Sequence, residues 1–244
     1  DYALYDPQKR LVIHPWEKFN GTNTKHYPDF KYIQNEVATG TEVFFPTEFM
    51  HGLFDGGHGA GLDDFWNEMM KSPKAAGGFL WSFHDEGIMR KDRHDSIDVA
   101  GNLAPDGILG PHREKEGSFY TIKEIWSPVE IKQKKLPPDF DGKLTITNRY
   151  LYANLRQCSF EWKLVRFPLG INKLAKADIL SKGFALPLSL ATNETGTLNL
   201  NISKYPDNAD ALYITVYDGA KKEILTWSQP FHSPKQIADR LPLM

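Results

Sequence analysis

Thr41-Glu42-Val43-Phe44-Phe45-Pro46-Thr47-Glu48-Phe49-Met50-His51-Gly52-Leu53-Phe54-Asp55-Gly56-Gly57-His58-Gly59-Ala60-Gly61 is the stretch on which the fold of this chain turns. The short apolar run Val43 to Phe45 predicts a buried β-strand. Glu48 stands where that strand stops. A glycine-rich loop follows, and then the helical pattern Leu62-Asp63-Asp64-Phe65-Trp66-Asn67-Glu68-Met69-Met70. Strand, loop and helix in that order form a βα unit, and in barrels built of such units the catalytic side chains sit at strand ends. A carboxylate at the end of a buried strand is unfavourable unless it is paired or functional. Local capping by the glutamate is the plainer reading.

Working outward, residues 1–127 alternate between β and α patterns. Arg10-Leu11-Val12-Ile13-His14 reads as a strand whose end brings His14 and Trp16 to the same pocket. Residues 30–37 read as a helical segment capped by Asp29. Strand 42–45, helix 62–70 and strand 78–83 complete the series. Strands alternating with helices imply parallel pairing. Three strands match the last third of an eight-stranded barrel and cannot close one alone. Arg90 to Ser118 is a long connection rich in Asp, Gly, Pro and His. Such a length is expected either of a substrate-proximal loop or of a solvated excursion.

Ser127-Pro128 marks a boundary, and the pattern after it changes to alternation of period two. Residues 143–148, 159–165, 197–202 and 212–217 read as strands separated by Asn, Asp and Gly turns. That predicts an antiparallel sandwich over 128–232 with one buried face per sheet. Trp162 is then a core residue rather than a sugar platform. Residues 233–244 read as a tail or linker without a compact module.

Composition narrows the classes. Of 244 residues, 41% are hydrophobic and 13% aromatic, which is ordinary for a globular protein. The net charge of −2, with both signs mixed, gives no reason to expect a nucleic-acid or anionic-membrane partner. Cys158 is the single cysteine, so an internal disulfide and a cysteine-based metal site are excluded. No apolar run reaches the length of a bilayer span. The chain opens on Asp1-Tyr2-Ala3 and its first expected strand has nothing before it to pair with, so a piece of a longer protein is expected.

Pro46-Thr47-Glu48-Phe49-Met50-His51-Gly52 resembles the nucleophile segment of glycoside hydrolase family 2, the β-galactosidase, β-glucuronidase and β-mannosidase group. There a strand-end Glu is followed three residues later by His, then by a glycine-rich loop and a Trp-bearing helix. Gly77-Gly78-Phe79-Leu80-Trp81-Ser82-Phe83-His84-Asp85 resembles the family's last barrel strand. Asp106-Gly107-Ile108-Leu109 and Glu124-Ile125-Trp126 resemble its exit into a β-domain. The resemblance implies α/β followed by all-β: the last third of a (β/α)8 TIM barrel, then an immunoglobulin-like antiparallel β-sandwich.

It also implies roles. Retaining hydrolysis needs two carboxyl groups about 5–5.5 Å apart. Glu48 matches the nucleophile. His51 matches a His that binds a sugar hydroxyl, against the alternative of a bond within its own loop. Trp81 matches a Trp that walls the sugar pocket, although such a residue can equally be core. Asp85 matches an Asp that binds a hydroxyl or orders its loop, and Tyr27 a Tyr that hydrogen-bonds the nucleophile. His112, Arg113 and Glu114 are further candidates for substrate contact. The family's Asn-Glu acid/base pair has no counterpart on a strand end here. Asn35-Glu36 and Asn67-Glu68 lie on helical patterns, and Asn193-Glu194 lies in the β-domain.

No cofactor is carried over to this chain, and a divalent metal would belong to residues elsewhere in the complete enzyme. The expected partners are a carbohydrate substrate and the remaining barrel strands of the same protein, with oligomerisation left open. A β-galactosidase is the leading expectation. The rivals are a β-glucuronidase, with Lys25, His26 or Arg113 on the sugar carboxylate, and a non-catalytic carbohydrate-binding module.

Overall fold

The computed structural model describes residues 2–51, 57–101, 104–137, 139–168, 176–202 and 208–239. The chain divides into two compact units, with the boundary in sequence between Ile125 and Trp126. The glycine-rich loop at 52–56 and the end of the tail at 240–244 lie outside the described residues.

The first unit begins with helix α1 (Tyr2–Tyr5) and a hairpin of β1 (Lys18–Phe19) and β2 (Thr22–Asn23). Asn20 and Gly21 make its two-residue turn, with φ of 51° and 77°. Those left-handed angles suit a right-twisted hairpin, which is why Asn-Gly serves there. Helix α2 (Phe30–Tyr32) follows, its first turn capped by the Asp29 carboxylate, which accepts from the Tyr32 N–H. It continues as a π-helical turn over Ile33–Val37. Strand β3 (Val43–Phe44) pairs parallel with β2, and helix α3 (Gly57–Met69) comes next.

The chain then returns alongside β3. Isolated parallel bridges join Phe44 to Ala75 and Phe49 to Leu80. Between them the Phe79 N–H bonds the Pro46 carbonyl and the Phe49 N–H the Phe79 carbonyl. Three extended segments, at 21–24, 43–49 and 74–81, therefore run parallel, with helical segments between them. Ile33, Val37, Phe44, Phe49, Leu62, Met69 and Ile122 form the core of this unit. Each such side chain contributes about 1.5–3 kcal/mol by leaving water. Helix α3 packs against both the π-helical turn and α4 (Gly117–Ile125).

The expected strand over Leu11–Ile13 does not form. These three residues are 61%, 44% and 39% exposed, and the strand that pairs with β3 is the polar Thr22-Asn23. Its side chains are buried because each finds a hydrogen bond. Thr22 donates to the Phe19 carbonyl, Asn23 accepts from the Tyr32 hydroxyl, and Thr24 donates to the His14 carbonyl. Hydrophobic pattern selects apolar runs, whereas a buried polar strand is held by satisfied bonds that a pattern does not show. The expected strand 78–83 also forms no continuous ladder; the Phe49–Leu80 bridge and single backbone bonds to Pro46, Phe49, Asp106 and Ile108 hold it. The long connection contains a hairpin of its own, β4 (Ile88–Arg90) with β5 (Ser96–Asp98), joined by a 3-10 turn over Lys91–Arg93.

The second unit is an antiparallel sandwich. One sheet has β6 (Val129–Ile131), β7 (Lys143–Asn148) and β10 (Thr195–Asn199) in the order β10-β7-β6. The other has β8 (Ser159–Arg166), β9 (Asp178–Phe184), β11 (Ala211–Tyr217) and β12 (Glu223–Pro230) in the order β12-β11-β8-β9. A single apolar core joins their inner faces, with Ile131, Leu144, Ile146 and Leu198 packed among Phe160, Trp162, Ile214 and Trp227. Trp162 is buried in that core, as the alternation implied. The tail, expected as a linker, carries a short helix α5 (Pro234–Ala238). Ser233 and Gln236 form a capping box and Pro234 occupies the first turn, signals that were present in the sequence.

Candidate active site

Glu48 lies one residue before Phe49, which is fully buried. Phe49 and its bridge partner Leu80 turn into the apolar core. Glu48 and Trp81 flank that pair and belong to neither core, as extended backbone that alternates its faces requires. The approach of the two segments depends on Gly78. A Cβ there would sit 2.8 Å from Pro46 Cγ and 2.9 Å from Phe49 Cε1. The Gly-Gly-Phe motif thus has a packing reason, because a side chain would push the second segment off the one that carries Glu48.

The carboxylate of Glu48 is held from the neighbouring segment. The Tyr27 phenol hydrogen-bonds it, His26 Nε2 lies 3.3 Å from its Oε2, and its backbone carbonyl accepts from the Tyr27 N–H at 2.9 Å. Burial, reinforced by the Glu48 charge and hydrogen bond and by the charge of Asp106, raises the Tyr27 phenol above its ordinary value. The phenol therefore stays protonated and able to donate. Tyr27 and Met50 both adopt left-handed backbone angles, φ 45° and 57°. For bulky residues this costs about 1–3 kcal/mol each and persists only where the surroundings fix it.

His51 joins the same cluster. Its ring stacks on Tyr27 with centroids 5.7 Å apart, and its Nδ1 lies 3.2 Å from Asp106 Oδ2. Asp106 is 2% exposed, and its Oδ1 accepts from the Ser82 hydroxyl at 3.2 Å. Trp16, exposed at the rim, packs its indole 4.3 Å from the His26 ring.

The structure therefore gathers Glu48, Tyr27 and His51, adds His26 and Asp106, and places Trp81 in the adjoining segment, half-buried. Asp85 is buried and its Oδ1 accepts from the Gly107 N–H at 2.8 Å. That bond ties it to the turn that carries Asp106. His14 does not end a strand; its carbonyl accepts from Thr24. His112 and Glu114 close their own turn, the carboxylate accepting from the His112 N–H. Asp106 was readable only as part of an Asp-Gly turn, and its part in the cluster depends on a long-range approach. Among the described residues no group of three His, Cys, Asp or Glu is disposed to hold a metal ion.

No family profile matches the chain. Curated relatives do. The β-galactosidase of Pectobacterium atrosepticum is 24% identical over 198 residues, covering 76% of this chain and 17% of that protein. That of Lactobacillus delbrueckii subsp. bulgaricus is 23% identical over 224 residues, covering 87% and 20%. That of Vibrio cholerae is 26% identical over 153 residues, covering 58% and 13%. The chain is thus β-galactosidase-like in sequence, its relatives are glycoside hydrolases, and it spans a fifth or less of their length. Solved structures show partial likeness. An exo-chitosanase from Amycolatopsis orientalis has a TM-score of 0.34 at 9% identity, covering 74% of this chain and 20% of that one. A β-D-mannosidase from Dictyoglomus thermophilum has 0.32 at 14%, covering 72% and 18%. A family 2 glycosyl hydrolase from Bacteroides cellulosilyticus has 0.32 at 13%, covering 86% and 25%.

Proposed function

We propose that this chain supplies the nucleophile side of a retaining β-glycosidase site, acting on terminal β-galactosides, with Glu48 as the nucleophile. The observation that carries the reading is the Glu48 carboxylate at the end of a parallel extended segment, held by the Tyr27 phenol and by His26. In this reading the segments at 21–24, 43–49 and 74–81 are the last three strands of a (β/α)8 barrel. The sandwich that follows is the immunoglobulin-like domain. Strand ends are where such barrels keep their chemistry.

Glu48 attacks the anomeric carbon as the glycosidic oxygen leaves with a proton from a second carboxylic acid. Water, activated by the same group, then releases the sugar from the covalent intermediate. The Tyr27 phenol, raised by burial, keeps its proton beside the carboxylate that attacks. Asp106 fixes His51 through Nδ1 and leaves Nε2 for a sugar hydroxyl. Trp81 presents an indole to the apolar face of the ring. Both Asp106 oxygens are engaged within the chain, one accepting from Ser82 and the other beside His51, which suits a residue that orients His51. The acid/base and any metal are accordingly assigned to polypeptide that this chain does not include.

The test is covalent trapping. A 2-fluoro β-galactoside presented to the complete protein is expected to label the peptide bearing Glu48, and Glu48→Gln to lower hydrolysis by several orders of magnitude. A label on any other carboxylate would sink the assignment.

A further inference from the structure

We propose that His26 is a positioning residue for the Glu48 nucleophile: its imidazole bridges Thr47 and Glu48 and fixes the carboxylate for attack. The proposal rests on Glu48 being the nucleophile and adds a residue that the family resemblance did not supply.

Register places it there. Strand β2 pairs parallel with β3, Thr22 opposite Val43 and Asn23 opposite Phe44, a constant offset of 21 residues. The offset persists to the strand ends. Tyr27, 21 residues before Glu48, bonds the Glu48 carbonyl through its backbone N–H at 2.9 Å. His26, 21 residues before Thr47, lies with Nδ1 3.1 Å from the Thr47 Oγ1 and Nε2 3.3 Å from the Glu48 Oε2. Two adjacent residues of one strand end thus grip two adjacent residues of the next.

The chemistry of the ring completes the argument. Neutral imidazole has one donor nitrogen and one acceptor. With the proton on Nε2, His26 donates to Glu48, and the Thr47 hydroxyl donates into Nδ1. The Glu48 carboxylate, which can only accept, thereby selects the tautomer, and the Thr47 hydroxyl, able to donate or accept, adjusts to it. Rotation of the ring is blocked on two sides, by Trp16 at 4.3 Å and by Tyr27 at 4.8 Å edge-on. A carboxylate bonded by Tyr27 alone could swing about its terminal torsion, and the second donor removes that freedom. Preorganisation of this kind contributes to the rate of the covalent step rather than to substrate binding.

The experiment compares His26→Ala, His26→Gln and Thr47→Val in the complete protein, reading the rate of covalent labelling of Glu48 by the 2-fluoro glycoside, together with KM and Tm. His26→Ala should slow labelling by about 10- to 100-fold, the size of a hydrogen bond to a charged group, with KM little changed. His26→Gln should restore much of the rate, because its amide can donate to Glu48 and accept from Thr47. Thr47→Val should fall between wild type and His26→Ala. Labelling of His26→Ala at the wild-type rate, on Glu48, overturns the positioning role while leaving the nucleophile assignment intact. A rate and a Tm that fall together in His26→Ala and are not rescued by Gln also overturn it, in favour of a purely structural histidine. Labelling of wild type at another carboxylate overturns the nucleophile assignment itself.

Discussion

Asp106 Oδ2 stands 3.2 Å from His51 Nδ1, although 55 positions separate the two residues in the chain. The carboxylate is buried, and its other oxygen is held by Ser82. The imidazole is the more exposed partner, so the pair has one fixed end and one end open to a ligand.

That asymmetry predicts the effect of Asp106→Ala. Loss of the buried acceptor frees the His51 ring, while the Ser82 hydroxyl keeps the His84 carbonyl as its acceptor. The expected result in the complete enzyme is a KM raised by about 10-fold or more, with a smaller change in kcat, since a substrate-orienting contact is lost. Steady-state kinetics on an aryl β-galactoside decide it. An unchanged KM would remove His51 from the binding site.

Tyr27 sets an alkaline limit. Its phenol is raised above the ordinary value of 10.0, chiefly by burial and then by Glu48. A group whose folded value is raised contributes stability that is fully present below the unfolded value and lost as pH rises through the folded one. The first unit should therefore lose stability as pH rises above about 10, where the unfolded chain ionises Tyr27 before the folded one does. Tyr27→Phe should flatten that loss. Denaturant unfolding at pH 8 and at alkaline pH measures the difference, and parallel slopes for the two proteins would contradict it.

Gly78→Ala should disturb the site from a distance. The added methyl would meet Pro46 and Phe49 below 3.0 Å, and overpacking of this kind destabilises by about 1–3 kcal/mol. Because Phe49 follows Glu48 directly, the variant should lose both stability and labelling of Glu48. Retention of wild-type Tm would show that the two segments have room to part.

The two units should differ in resistance. The sandwich has its own continuous core, and Ile214, fully buried at its centre, should cost about 2–5 kcal/mol on replacement by Ala. The first unit exposes Leu11, Phe79, Phe83 and Ile88, apolar surface that normally seeks a covering partner. Limited proteolysis of the chain alone is expected to leave a resistant fragment beginning near Ser127, and the chain alone should not hydrolyse an aryl galactoside. Equal digestion of both halves, or turnover by the chain alone, would contradict this.

The sequence by itself determined what depends on local pattern and on motif chemistry. Alternation of period two located β7, β8, β10 and β11, because one buried face forces every second residue to be apolar. Asp29 identified its own helix start. Glu48, His51 and Trp81 were marked as a set by the spacing of two motifs, and the kinship of those motifs with β-galactosidases was legible before any coordinates. The polar strand Thr22-Asn23 was not, since its burial is sustained by hydrogen bonds to Phe19, Lys25 and Tyr32, and satisfied bonds leave no mark in a hydrophobic pattern. Leu11-Val12-Ile13 misled for the converse reason: apolar residues can stay at the surface when no neighbouring element covers them. The places of His26 beside Glu48 and of Asp106 beside His51 were decided by the tertiary structure alone. One reaches Glu48 through parallel register and the other reaches His51 across the return of a long loop, and neither register nor loop closure is written in the identity of nearby residues.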